Sequence, residues 1–172
     1  MKHLILGGVR SGKSAFAETQ IEQSGKPVYY LATSQVWDDE MAQRVELHQQ
    51  RRPKSWQLVE EPIKLAAALQ RFNQSNNAVI VECLSLWMSN LLCLEDDGVF
   101  AHETQQLLTI VAGFEGDLVI VSGEVGLGIM PMNALARRFA DEIGIINQQL
   151  AKLTDRVTFV AAGLPMKLKS PS

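Results

Sequence analysis

Gly7-Gly8-Val9-Arg10-Ser11-Gly12-Lys13-Ser14 follows directly on the apolar run Leu4-Ile5-Leu6 and leads into Ala15-Phe16-Ala17-Glu18. The eight residues fit G-x-x-x-x-G-K-[ST] in full, in the setting that pattern requires: a buried strand, a glycine turn, then good helix formers. Gly7 and Gly12 permit a backbone that wraps successive N–H groups around a phosphate chain. Lys13 is placed to reach the outer phosphates and Ser14 to hold Mg²⁺, and the helix N-terminus adds positive potential. The expected nucleotide-binding set therefore starts with Gly7, Gly8, Val9, Arg10, Ser11, Gly12, Lys13 and Ser14, with Lys13 also catalytic. The competing reading, a glycine turn with an incidental lysine, explains neither the strand in front nor the helix behind.

Outward from the loop, short apolar runs alternate with helical patterns. Strands are expected near Leu4–Leu6, Val28–Ala32, Gln57–Val59, Val79–Glu82, Leu118–Ser122 and Val157–Ala161. Helices are expected over Lys13–Ser24, Asp39–Arg51, Ile63–Asn73, His102–Ala112 and Ala134–Leu153. Val79-Ile80-Val81 and Leu118-Val119-Ile120-Val121 are continuously apolar, as in strands buried on both faces. The alternation predicts an α/β fold, a mainly parallel central sheet flanked by helices in three layers, α/β/α. With the loop, this is a P-loop NTPase of the RecA-like type. The 172 residues are read as one nucleotide-binding domain, with Glu95-Asp96-Asp97-Gly98 as a surface loop and about 167–172 as a mobile tail.

A net charge of −3 and a pI near 5.6 give no electrostatic case for nucleic acid or an anionic membrane. Cys83 and Cys93 have neither C-x-x-C nor zinc spacing and read as free thiols. No apolar stretch approaches the roughly 20 residues of a membrane span. Strand and loop begin at once, leaving no room for a signal peptide, so a cytoplasmic location is expected.

Three further clusters carry chemistry. Val79-Ile80-Val81 ends in Glu82, placed to support the Mg²⁺ shell or a nucleotide hydroxyl; the bland alternative is a carboxylate that caps the next turn. Thr33-Ser34-Gln35 leaves the carboxyl end of another strand, where ligands bind in parallel sheets. In the helix expected after Asp38-Asp39, Glu40, Arg44 and His48 share a face, and Arg51 and Arg52 follow. Imidazole beside guanidinium groups suits phosphate chemistry, although a helical histidine is more often a bystander. His3 adjoins a buried strand and His102 begins a helix, so both have less support. Finally, Ser122-Gly123-Glu124-Val125-Gly126-Leu127-Gly128-Ile129-Met130-Pro131 reads either as a flexible surface loop or as an unusual backbone beside the nucleotide.

As an ordered set these segments resemble one family, the bifunctional adenosylcobinamide kinase/adenosylcobinamide-phosphate guanylyltransferases. The matching residues are the loop, Tyr30-Leu31-Ala32-Thr33-Ser34, Asp39-Glu40-Met41 with Arg44, His48, Arg52-Pro53 and Trp56, and Glu82-Cys83-Leu84-Ser85-Leu86-Trp87 with Asn90-Leu91-Leu92. Later come Glu124-Val125-Gly126, Gly128-Ile129, Pro131, Arg138-Phe139, Asp141, Gly144 and Asn147-Gln148. The resemblance implies phosphorylation of adenosylcobinamide by ATP or GTP, then transfer of GMP from GTP to adenosylcobinamide phosphate through a guanylylated His48. It implies nucleotide contacts from Thr33, Ser34, Gln35, Arg51, Arg52, Glu60 and Glu82, with Mg²⁺ on Ser14 and Glu82. It also implies a homo-oligomer, a trimer by family habit. Gly123 stands where the family usually has asparagine and Ala140 where it tends to have arginine, which removes an amide and a guanidinium from the expected contacts.

Three other readings compete. In a plain small-molecule kinase His48 would be structural. A nucleotide-driven module would act on nucleic acid or protein, and the acidic pI and missing Lys/Arg stripe oppose the nucleic-acid version. A nucleotide sensor without chemistry is opposed by intact Lys13, Ser14 and His48.

Overall fold

The fold is built outward from β1 (Lys2–Gly7), whose residues His3 to Gly7 are all buried. The computed structural model describes residues 1–34 and 53–171. After β1 come α1 (Lys13–Glu22), β2 (Val28–Ala32), β3 (Gln57–Glu60), α2 (Leu65–Arg71), β4 (Ala78–Glu82), α3 (Leu84–Cys93), α4 (Asp97–Ala112), β5 (Asp117–Gly123), α5 (Ala134–Leu153), β6 (Arg156–Ala161) and β7 (Leu164–Lys169). They form one seven-stranded sheet in the order β3-β2-β4-β5-β1-β6-β7. Every neighbouring pair is parallel except β6 with β7. The six expected strands are present with bounds shifted by at most two residues. The expected helix over 39–51 lies outside the described residues.

The apolar runs explain the layering, because successive side chains in a strand point to opposite faces. Leu4, Leu6, Val79, Val81, Leu118 and Ile120 face one core, packed against α2 to α5 through Leu69, Trp87, Leu107 and Ile146. Ile5, Ile80, Val119, Val121 and Val160 face the other, closed by Ala17 and Ile21 of α1. This is the three-layer α/β/α arrangement, with the carboxyl ends of β1, β4 and β5 brought to one rim.

Three elements differ from expectation. The residues of α3 read as apolar sequence without a stripe, since Leu84, Trp87, Met88, Asn90, Leu91 and Leu92 are all buried and a helix buried nearly all round shows no amphipathic period. The turn expected over Glu95–Gly98 is shorter: Asp96 caps α4 by accepting from Gly98 N and Val99 N, so Asp97 and Gly98 are already helical. The C-terminal segment is a strand to Lys169 rather than a tail from 167. Ala162 (φ 51°) and Gly163 (φ 77°) make a turn with two left-handed residues, the twist that closes a tight hairpin. Lys169 Nζ then donates to Ala151 O at 2.9 Å, holding β7 to the C-terminal end of α5.

His3 is structural. It is 2% exposed, its Nε2 meets Thr158 Oγ1 at 2.8 Å, and Phe16 packs edge-on. Burial first, and Arg156 second, lower its pKa from 6.5 to about 4. The unfolded chain therefore binds this proton near pH 6.5, whereas the folded chain refuses it until about 4. Stability from this residue is complete above pH 6.5 and falls as pH drops through the window, by about 3 kcal/mol at its foot. Asp117 acts in a lower window. Burial opposes its ionisation, but hydrogen bonds from Lys26 and the Met1 ammonium outweigh it and hold the carboxyl below 3.8. Urea midpoints measured from pH 7 to 4.5 are expected to fall less steeply in His3→Leu than in the unsubstituted chain; parallel slopes would refute the assignment.

Candidate functional site

The loop after β1 has the backbone that its sequence demands. A Cβ on Gly7 would sit 2.5 Å from both Ser11 Oγ and the Val160 carbonyl oxygen, so no side chain fits there. Gly12 has φ 94° and Arg10 φ 55°, and these left-handed residues turn the chain back on itself before α1. The loop is braced from three directions: Ser11 N donates to Gly8 O at 3.3 Å, Gly163 N to Ser11 O at 2.8 Å, and Glu124 N to Gly7 O at 3.1 Å. The N-terminus of α1 has no side-chain cap and no acidic residue in its first turn, which leaves its amides to an anionic ligand. Lys13 Nζ lies over the loop, donating to Gly8 O at 3.2 Å.

The steric need at Gly7 is testable. Gly7→Ala is expected to lower Tm by about 3–10 °C, because a backbone carbonyl must move to admit the methyl. A Cβ added at Gly8 would meet nothing within 4 Å, and Gly8→Ala is expected to melt with the unsubstituted chain. Equal melting of the two variants would contradict this difference in packing.

Across the rim, Ser14 Oγ donates to Glu82 Oε1 at 2.7 Å, a contact spanning 68 residues. Hydroxyl and carboxylate thus present adjacent oxygens beside the loop. No group of three or more His, Cys, Asp or Glu able to hold a metal occurs among the described residues. A cation here would take these two oxygens together with phosphate oxygens and water, the donor set that suits Mg²⁺ rather than zinc. The next residue, Cys83, is no nucleophile: burial and the Glu82 carboxylate push its thiol up to about 11.

The remaining candidates fall in different places. Thr33 is fully buried; its hydroxyl donates to Cys83 O at 2.7 Å and accepts from Cys83 N at 3.0 Å, clamping the ends of β2 and β4 together. Asn90 reinforces the clamp by donating to Thr33 O at 2.8 Å and to Pro62 O at 3.0 Å. Ser34, half-buried, follows on the rim. Glu60 is exposed at the end of the edge strand β3, level with Glu82 across β2 because both pair with Ala32. Four strand spacings separate β3 from β1, roughly 19 Å, so Glu60 stands at the opposite end of the rim from the phosphate loop. Gln35, Arg44, His48, Arg51 and Arg52 lie outside the described residues.

Ser85, Gly163 and Asn147 complete the frame. Ser85 Oγ accepts from Gly123 N at 2.7 Å, and Gly163 closes against the loop. Asn147 Nδ2 adds a bond to Gly123 O at 3.2 Å. A Cβ at position 123 would lie 2.6 Å from Ser85 Oγ, so a larger residue there requires that hydroxyl to turn away. Ala140 is half-buried on α5. Shallow grooves between α2 and α4, and among α3, α4 and α5, lie in the helical layer rather than on the rim.

This geometry is that of a phosphate cradle with an adjoining oxygen pair, set at the carboxyl rim of a parallel sheet. A solved structure from Pyrococcus horikoshii OT3 matches over 99% of this chain and 87% of that one with TM-score 0.58 and 9% identity, a likeness of fold alone. The bifunctional adenosylcobalamin biosynthesis protein CobP of Pseudomonas aeruginosa is 44% identical over 169 residues, covering 98% of each chain. The bifunctional adenosylcobalamin biosynthesis protein CobU of Escherichia coli K12 is 38% identical over 184 residues, covering 98% of this chain and all of the relative. The family model for cobinamide kinase / cobinamide phosphate guanyltransferase matches residues 3–168. The chain belongs to the cobinamide kinase/cobinamide phosphate guanyltransferase family.

Proposed function

We propose that this chain carries out both reactions of its family in adenosylcobalamin biosynthesis: phosphorylation of adenosylcobinamide, then guanylylation of the phosphate. The observation that carries the reading is the Ser14–Glu82 contact beside Lys13, in a chain matched by the family model nearly end to end.

In the first reaction the amides of Gly7 to Ser14 wrap the β- and γ-phosphates of ATP or GTP and Lys13 follows the charge of the transferred group. Phosphoryl transfer calls for alignment and charge neutralisation more than covalent help. Ser14 and Glu82 would hold Mg²⁺, which supplies charge neutralisation on the phosphates when bound. The aminopropanol hydroxyl of adenosylcobinamide takes the phosphoryl group, its O–P bond forming as the bond to the departing nucleoside diphosphate breaks.

In the second reaction His48 attacks the α-phosphorus of GTP, and pyrophosphate leaves. The phosphate of adenosylcobinamide phosphate then attacks the same phosphorus, breaks the P–N bond and frees the imidazole, giving adenosylcobinamide-GDP. Two displacements replace one difficult encounter between anions. Arg44, Arg51 and Arg52 would screen the incoming charge, and Ser34, Gln35, Glu60 and Glu82 are assigned to the guanine nucleotide; Thr33, buried with its hydroxyl on Cys83, holds the rim together instead of touching the ligand. The separation of Glu60 from the loop supports a division of labour between the two ends of the rim.

The chain is proposed to act as a homo-oligomer, a trimer by resemblance. Leu164, Met166 and Leu168 support this, being 70%, 51% and 61% exposed on one face of the edge strand β7. No described helix is long and apolar enough to cross a membrane.

The test is incubation with adenosylcobinamide, Mg²⁺ and ATP or GTP, followed by chromatography of the corrinoids. Adenosylcobinamide phosphate is expected first and adenosylcobinamide-GDP with pyrophosphate only when GTP is present. Accumulation of the phosphate alone, with no GMP adduct on the protein, would favour the plain kinase in which His48 is structural.

A further inference from the structure

The rim beside the phosphate loop carries apolar side chains that neither core claims. Between β5 and α5, Val125 is 42% exposed, Leu127 82%, Ile129 98%, Met130 57% and Met132 97%. Val9, in the phosphate loop, is 82% exposed. Such a concentration of exposed apolar residues marks a binding surface rather than ordinary surface scatter.

Both ends of this segment are held. Glu124 N donates to Gly7 O at 3.1 Å, tying the start directly to the phosphate loop, and the Glu124 carboxylate accepts from Gly126 N at 2.6 Å. At the far end Asn133 Oδ1 accepts from Ala136 N at 3.0 Å to begin α5, and Arg137 Nη1 donates to Pro131 O at 3.2 Å. Between Gly123 and Asn133 the only ionisable side chain is Glu124, already engaged with its own loop. The segment itself carries no cation; at its borders Arg137 is engaged with Pro131 O and Arg10 belongs to the phosphate loop, so its own side chains suit a broad apolar face rather than an acidic one.

We infer that Val125–Met132, together with Val9, seat the apolar face of the corrin ring of adenosylcobinamide while its hydroxyl reaches the γ-phosphate. The inference rests on the proposed kinase reaction, which requires the acceptor body to lie against whatever borders the phosphate loop. A corrin offers a broad, methyl-bearing face with an uncharged amide rim, which matches the apolar character of these exposed side chains. The exposed apolar face of β7 is a separate surface, and the proposed contact between copies is assigned there.

The deciding variant is Leu127→Ser/Ile129→Ser, both positions being exposed and therefore safe for folding. The KM for adenosylcobinamide is expected to rise about tenfold or more, with kcat within about threefold at saturation and the KM for ATP unchanged. Leu127→Met/Ile129→Met is expected to retain the original KM, because apolar area rather than a particular shape is needed. Light scattering on each variant reads subunit number. An unchanged KM for the corrinoid in an active double-serine variant would overturn the seat while leaving the kinase reading intact. Loss of subunits in step with the KM change would overturn it too, by assigning the surface to a second copy. An unsubstituted chain that does not phosphorylate adenosylcobinamide would overturn both the seat and the kinase reading.

Discussion

Lys13→Ala is expected to slow phosphorylation of adenosylcobinamide by about 10²- to 10³-fold while leaving the fold in place. The fold survives because Lys13 contributes little to it: the side chain is half-buried at the start of α1, and its hydrogen bond within the described structure is the 3.2 Å contact to Gly8 O. A single hydrogen bond of this kind is worth about 1 kcal/mol. Its proposed value lies in the reaction, where charge would shift from the γ-phosphoryl group onto the leaving oxygen and a fixed ammonium costs no reorganisation. The measurement is the single-turnover rate with saturating nucleotide, alongside Tm. A rate within a few-fold of the unsubstituted chain would remove Lys13 from catalysis. A collapsed Tm would show instead that it is a structural residue. Supplying preformed adenosylcobinamide phosphate to the same variant reads the guanylyl transfer separately from the kinase step.

The phosphate loop is legible in sequence because everything it needs is local. Gly7, Gly12, Lys13 and Ser14 lie within one strand–turn–helix unit, and the left-handed backbone at Gly12 follows from its residue type. Glu82 is different. A carboxylate ending an apolar strand is a weak signal, and its meaning comes from a 2.7 Å contact with a residue 68 positions away. Only the strand order, with β5 between β4 and β1, brings the two together.

Elements escape the sequence where tertiary burial overrides periodicity. The helix α3 is apolar on nearly every side because it sits between the sheet and α4 and α5, so its 3.6-residue stripe is erased. The strand β7 shows the opposite problem: Leu164, Met166 and Leu168 alternate with Pro165, Lys167 and Lys169, yet the segment reads as a tail until β6 supplies an edge. Thr33 shows a third limit. Its position after β2 matches the family's pattern, but burial and the Cys83 clamp could not be read from the sequence. Gly123 shows a fourth limit, since its hydrogen bond to Ser85 Oγ joins β5 to α3 across 38 residues.

His48→Ala is expected to abolish covalent labelling by [α-³²P]GTP and the formation of adenosylcobinamide-GDP, with the kinase step kept within about threefold. The reason is chemical. Attack on the α-phosphorus requires a neutral imidazole nitrogen, and histidine, with an unperturbed pKa of about 6.5, is largely in that form at neutral pH. In the proposed reaction the guanidinium groups of Arg44, Arg51 and Arg52 would stabilise the anion being attacked. The product of attack is a phosphoramidate, labile to acid and stable to base, so the label on the unsubstituted chain should be lost on acid treatment and map to the peptide containing His48. Glu82→Gln is the useful companion: it disturbs the Ser14 oxygen pair at the phosphate loop and is expected to slow phosphorylation, and the amount of acid-labile adduct it still forms reads how far the guanylyl step draws on the same carboxylate. Persistence of the label in His48→Ala would place the nucleophile elsewhere. Loss of both activities in that variant, with Tm unchanged, would mean that the two reactions draw on one shared set of groups rather than on opposite ends of the rim.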